Sequence, residues 1–386
     1  MKIIIATGIF PPDIGGPATY SKIMAEELAS RGYEIEVLTF GEADKEEKDA
    51  KGFFKKTISG ERNILFRYFN YFWELLKDSR EAQIIYAFDL LSVGLPAAAV
   101  KLLRIKKLII RLGGDYQWEK ALQLGLCADT LKEYYRKKEF GLKEKIIYFL
   151  TQFVLRQADS VIFNANLLKD IYVKYRNFPS SKAKVIKNIK PVADFSKIEI
   201  GKKNKDYVRV LYAGRFIKAR NLLKLIEAFS SALKNFPVKK ITLEIIGEGP
   251  EEKIIKEYVR DNDLAGAVKV LPKLTRDELR KKMGESDAVA LVSLTEVNPN
   301  LISEALAMRK QVILTRECEF YYAGLKNKLI RYVDPLKMED IAEKLKEAIA
   351  EAESGTPPTP SSGWDGEVVA WNINRVIKEH ELIFSK

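Results

Sequence analysis

SLTEVNPNLISEALAMRKQVI, residues 293–313, is preceded by a short apolar run, Ala288–Val292, and closes on another, Gln311–Leu314. Both runs are rich in branched apolar residues and bounded by polar ones, the pattern of strands buried in a parallel sheet. Between them Pro299 suits the first position of a helix, Asn298 its N-cap, and Leu301, Ile302, Ala305 and Leu306 its buried stripe. Two carboxylates, Glu296 and Glu304, stand around that helix start with seven residues between them. Backbone N–H groups and the helix dipole favour a diphosphate there, and flanking carboxylates can accept hydrogen bonds from hydroxyls, one acid serving a sugar and the other a ribose. An ordinary capped helix with two exposed acids would have the same residues, so the rest of the chain has to decide.

Composition narrows the field. At 386 residues the chain exceeds the size at which a single core stops growing, so two domains are expected. A net charge of +12 and a pI near 9.3 favour anionic partners. Cys127 and Cys318 are the only cysteines and His380 the only histidine, which excludes a disulfide framework, a Ser-His-Asp triad, a Cys-His pair and a histidine-based metal cluster. His380 itself reads as a surface residue of a terminal helix. The run Lys2–Ala6 is too short for a signal sequence and is interrupted by Gly8 and Pro11. The apolar run Leu90–Val100 meets Lys101 and Arg104 before it reaches spanning length.

Upstream of the deciding stretch, Lys2–Ala6 is a first strand, followed by the loop Gly8–Tyr20 with its Gly15-Gly16 pair, a helix ended by Gly32, and a second strand, Glu34–Phe40. This is a βαβ unit whose glycines let backbone approach a phosphate or a sugar, although they also fit a plain turn. Asn63–Lys77, NILFRYFNYFWELLK, is helical and apolar nearly all round. It fits burial against the sheet, or an aromatic and basic face for a lipid-linked acceptor or a bilayer. Lys107–Leu112 is a strand that delivers GGDYQWE, with Asp115, to a sheet end where ligands bind in open α/β folds. Lys132–Arg156 interleaves basic and aromatic residues, as a membrane-facing surface or a solvated charged helix would. A Lys-rich polar segment, Ile198–Asp206, is the linker. Beyond it Val208–Ala213 restarts the strand pattern, with Arg215 and Arg220 at its end before a helix; guanidinium groups there can fork onto a diphosphate. Ile241–Ile246 then leads into Gly247-Glu248-Gly249-Pro250, Lys337–Ala350 is helical, Ser354–Gly363 is a Pro/Ser/Gly loop, and Trp371–Phe384 is the last helix.

In that order, the FPP…GG loop, Arg215 and Arg220, GEGP and the Glu pair resemble the retaining glycosyltransferases of the GT-B fold, family four, over nearly the whole chain. The resemblance implies two doubly wound, Rossmann-like α/β domains around a deep interdomain cleft. Residues 1–197 would hold the acceptor, with a C-terminal helix, 365–386, crossing back, and residues 207–360 would bind the donor. It implies metal-independent hexosyl transfer with retention, no cofactor, and a nucleoside-diphosphate sugar as donor substrate. By the same likeness Glu296 lies at the transferred sugar and Glu304 at the ribose, Arg215 and Arg220 hold the diphosphate, and Gly15 and Gly16 meet phosphate from across the cleft. The helix start from Asn298 through Asn300 to Leu301 completes the donor site.

Two departures accompany the resemblance. Family members usually follow the first Glu with Gly-Phe-Gly, whereas Val297, Asn298 and Pro299 stand here, and Pro299 removes one backbone donor that Asn298 and Asn300 would have to replace. Members commonly carry a sugar-contacting histidine near the GGDYQWE strand end; Asp115 is the candidate for that role, and its reading as the N-cap of the helix bearing Trp118 stands beside it. At the position of the family's lysine stands Arg220, with Lys218 as a nearby alternative. The basic aromatic segments point to a lipid-linked or glycan acceptor and an anionic membrane surface rather than nucleic acid. The expected place is the cytoplasm, peripheral on the inner face of the membrane. A sugar-nucleotide epimerase or hydrolase, or a basic scaffold without catalysis that binds membrane or RNA, are the rivals.

Overall fold

The computed structural model describes residues 1–13, 15–60, 63–189, 207–236, 240–354 and 370–385. The expected linker at 198–206, the loop at 355–363, the residues 365–369 of the returning segment and Ile14 of the glycine loop lie outside them. Two compact units form: Met1–Gln117, Tyr135–Ile189 and Ala370–Lys386 make the first, Trp118–Tyr134 and Lys190–Val369 the second.

The first unit contains β1 (Lys2–Ala6), α1 (Gly16–Ser30), β2 (Glu34–Gly41), β3 (Lys45–Lys48), β4 (Phe54–Ser59), α2 (Ile64–Asp78), β5 (Ile84–Ala87), α3 (Gly94–Leu103) and β6 (Lys107–Leu112). After α4 (Tyr116–Gln123) and α5 (Leu131–Lys137) it continues with α6 (Leu142–Gln157), β7 (Ser160–Phe163), α7 (Asn166–Tyr175), β8 (Ala183–Val185) and β9 (Asn188–Ile189). Its eight-stranded sheet runs β3-β4-β2-β1-β5-β6-β7-β8, parallel except at β3. Ile3, Ile4 and Ile5 are fully buried, as a central parallel strand covered on both faces requires.

The second unit has β10 (Tyr207–Ala213), α8 (Leu222–Leu233), β11 (Lys240–Ile246), α9 (Glu252–Asp261), β12 (Val268–Leu271), α10 (Arg276–Glu285) and β13 (Ala288–Leu291). It ends with α11 (Asn300–Ala307), β14 (Gln311–Thr315), α12 (Glu319–Tyr322), β15 (Ile330–Val333) and α13 (Met338–Ser354). Its all-parallel sheet has the order β12-β11-β10-β13-β14-β15. That is the doubly wound arrangement, whose order reverses between β10 and β13 and opens a crevice at their carboxyl ends.

The chain returns to the first unit with β16 (Ala370–Trp371), paired to β9, and α14 (Ile373–Phe384). Here one expectation fails: His380 is buried, not on the surface. Val376, Ile377, His380, Ile383 and Phe384 recur at helical spacing and share one buried face. The Val376 carbonyl accepts from Nδ1 at 2.7 Å, so Nε2 is unprotonated and accepts from the Tyr86 hydroxyl at 2.8 Å. Burial and the nearby Arg111 charge push the imidazole down to about 3, so it stays neutral.

Candidate functional site

At the end of β13 the chain leaves the sheet through Val292 and Ser293. It is pinned on both sides: the Leu294 N–H donates to the Ala219 carbonyl (2.9 Å), and the Glu296 N–H to the Glu317 carbonyl (2.8 Å). The Glu296 carboxylate is thereby held at the crevice, 8% exposed. It is ion-paired with Arg220, and its Oε2 also accepts from the Ser293 hydroxyl at 3.0 Å. Arg220 Nη1 lies 3.4 Å from the same hydroxyl, while its Nε is buried with no hydrogen-bond partner among the described residues. Lys218 is exposed and Arg220 supplies the cation. The following residue, Asn221, has a left-handed backbone, φ 57°. Its side chain does not cap α8; Nδ2 donates instead to the Val292 carbonyl (3.2 Å) and the Pro335 carbonyl (2.8 Å), tying the loops after β10, β13 and β15 together.

The helix begins later than its sequence suggests. Pro299 takes the N-cap position and α11 starts at Asn300, so Asn298 is not the cap. Pro299 has an extended ψ of 114°, and a residue ahead of proline is itself kept from helical angles, which moves the start past both. Ile302, Ala305 and Leu306 are buried as expected, Leu301 only partly, and Glu304 joins the buried set. The Glu304 carboxylate accepts from Arg276 Nη2 at 2.9 Å. Arg276 opens α10 just behind the capping box of Thr275 and Glu278, a start signal that was readable, although its pairing with a residue 28 positions away was not.

Arg215 is mostly exposed and pairs with Glu119 at 3.2 Å. The GEGP loop supports it from behind. The Phe216 N–H donates to the Glu248 carbonyl at 2.8 Å, and a Cβ on Gly247 would stand 1.9 Å from the Gly214 carbonyl oxygen. Gly247, at φ 152°, is thus needed for the close approach of two backbones. Residues 118–134, assigned above to the N-terminal domain, belong to this second unit: besides Glu119, the Leu131 N–H donates to Thr295 Oγ1 at 2.9 Å.

In the first unit, Gly15 is the N-cap of α1 with Pro17 in its first turn, and the space beside Gly16 is open, with no atom within 4 Å of an added Cβ. Asp115 lies in a buried polar cluster. Its Oδ2 accepts from the Tyr135 hydroxyl (2.8 Å) and the Tyr172 hydroxyl (2.6 Å). Arg176, 1% exposed, donates to Tyr135 (3.4 Å) and to Thr151 (2.6 Å), and its guanidinium lies over the ring of Tyr148. Burial and the Asp115 charge hold both phenols well above their ordinary range, so they remain donors.

Comparison with known proteins agrees with this architecture. The family model for glycosyl transferases group 1 matches residues 194–356, and that for glycosyltransferase family 4 matches residues 14–189. Among solved structures, sucrose-phosphate synthase from Thermosynechococcus elongatus superposes with a TM-score of 0.74 at 15% identity, covering 100% of this chain and 98% of that one. Anabaena HepE in complex with UDP gives 0.66 at 16% identity, with both chains covered fully, 100% each. WaaG, a glycosyltransferase involved in lipopolysaccharide biosynthesis, gives 0.65 at 14% identity with 92% of each chain covered. A comparison with curated proteins finds no match. Two Rossmann-like units, each with a parallel sheet as in GT-B structures, and the two family models, which between them take in most of the sequence, place the chain in the GT-B glycosyltransferases of family four.

Proposed function

We propose that the chain transfers a hexosyl group, with retention of anomeric configuration and without a metal ion, from a nucleoside-diphosphate sugar to a lipid-linked or polysaccharide acceptor. The observation that carries this reading is Arg220: a cation held against Glu296 at the β10/β13 crevice, with its Nε buried and unpartnered among the described residues. A diphosphate oxygen supplies the missing acceptor and competes with Glu296 for the fork. Glu296, once released, accepts from sugar hydroxyls. Glu304 takes the ribose, sharing its carboxylate with Arg276, and the start of α11 at Asn300 and Leu301 faces the phosphates. As the bond from C1 to the diphosphate breaks, charge grows on the departing oxygen beside Arg220, and Arg215 adds a second cation. The acceptor hydroxyl bonds to C1 on the face the diphosphate leaves, and its proton passes to the diphosphate.

Asp115 enters this scheme as a positioning residue, because its Oδ2 is occupied by two tyrosine hydroxyls. That HepE was solved with UDP and that WaaG takes part in lipopolysaccharide biosynthesis support the donor class and a lipid-linked glycan acceptor. Work on such an acceptor belongs at the cytoplasmic face of a membrane. NMR of the first-formed sugar product from an α-linked donor, with EDTA present, tests retention and metal independence together. The α-anomer should appear first at an unchanged rate; a β-anomer, or a requirement for magnesium, contradicts the proposal.

A further inference from the structure

The helix 64–78, apolar nearly all round in sequence, packs one face against the sheet and leaves the other exposed. Tyr71 and Leu75 are buried, while Leu65, Phe66, Phe69 and Trp73 form one outward stripe, 77%, 53%, 55% and 50% exposed. α3 packs against both α2 and α6, and leaves Leu102, Leu103 and Ile105 exposed at its end. α6 repeats the pattern: Leu142, Ile146 and Phe149 recur at helical spacing and are 78%, 53% and 68% exposed. Scattered apolar residues on a surface need no explanation, but exposed apolar stripes on α2 and α6, with a third exposed apolar cluster at the end of the helix that packs against both, do.

Charge identifies the occupant. On α6, Lys145 and Arg156 flank the apolar stripe on one side and Lys143 on the other, the arrangement of a helix lying in a membrane interface. The acids of these three helices are all engaged. Glu74 and Asp78 are paired with Lys56, and Glu144 is buried, accepting from the Gly141 N–H at 2.9 Å. The face therefore presents apolar side chains and, on α6, three exposed cations, Lys143, Lys145 and Arg156, without an ion pair among the described residues. A second copy of the chain would set like charges against one another, whereas anionic lipid headgroups complement them.

We infer that α2, the end of α3 and α6 form a platform that inserts its aromatic and leucine side chains into the interfacial layer of an anionic bilayer. The inference rests on the proposed function only in that a lipid-linked acceptor would be met at this surface. Adsorption by charge alone would vanish in salt; insertion of apolar side chains persists.

Flotation with phosphatidylglycerol-containing vesicles tests it. The wild type should float at low salt and keep part of its binding at high salt. The variant Phe69→Ser/Trp73→Ser/Phe149→Ser, altered only at exposed positions, should lose at least about tenfold in partition at both salt levels. Lys143→Glu/Lys145→Glu should lose roughly tenfold or more at low salt only. Quenching of wild-type tryptophan fluorescence by brominated lipid, abolished in Trp73→Phe, reports insertion without relying on a disruptive variant. The inference is overturned if the wild type does not float, if the triple variant floats equally well, or if ultracentrifugation shows a dimer that the triple variant dissociates. Donor binding measured on the same preparations separates the two readings: vesicle binding can fail with donor binding intact, and the reverse.

Discussion

Arg220→Ala should lower kcat/KM for the nucleotide sugar by about 10²–10³-fold, the loss typical of removing one preorganised group that meets charge developing in a transition state. Two effects act in the same direction. The leaving diphosphate loses its partly buried cation, and Glu296, 8% exposed, loses its ion-pair partner and keeps only the Ser293 hydroxyl among the side-chain bonds described above. The second effect would disturb the sugar site even if the phosphate found another donor. Arg220→Lys separates them, since it restores charge without the planar fork. It should recover most of the rate, within about tenfold of wild type, because one point charge near the diphosphate carries the larger share. Steady-state rates of donor turnover, read with thermal unfolding to confirm that both variants are folded, decide the matter. Equal losses in the two variants would assign the function of Arg220 to hydrogen-bond geometry instead.

Asp115→Ala should destabilise the first unit by about 3–5 kcal/mol, because it removes the carboxylate that accepts from the two tyrosines around the buried guanidinium of Arg176. For a unit of this size that corresponds to a fall in Tm on the order of 10 °C. Asp115→Asn keeps an oxygen to accept from Tyr135 and Tyr172 and loses only the charge, so it should cost less, about 1–3 kcal/mol. Differential scanning calorimetry measures both. If Asp115 instead touches the transferred sugar, Asp115→Asn would retain its Tm and lose turnover.

The strands bracketing the deciding stretch, the βαβ start of the chain and the linear order of Arg215, Arg220 and the Glu pair are local patterns, and local patterns survive translation into structure. What was not legible depends on contacts distant in sequence. His380 looked like a polar residue in a terminal helix, because nothing nearby reveals that Tyr86, 294 positions away, accepts it into the core. The helix at 64–78 was ambiguous for the opposite reason: its composition could not say which face meets the sheet, and the structure buries Tyr71 and Leu75. Asn221 and Arg276 escaped notice because their partners, Pro335 and Glu304, are assembled by the sheet order. Asp115 was half-read. Its place at the strand end was visible, but the two tyrosines and Arg176 that claim its carboxylate come from later segments, at 135, 172 and 176.

The most direct measurement is isothermal titration of UDP, GDP and ADP, with EDTA present, into the wild type and Glu304→Ala. One nucleotide should bind the wild type, and the variant should bind it about 10–100-fold more weakly, since a buried carboxylate accepting from ribose hydroxyls contributes roughly 1.5–3 kcal/mol. Equal affinity in the two proteins, or no binding of any nucleoside diphosphate, would contradict a donor site built from Glu296, Arg220 and Glu304.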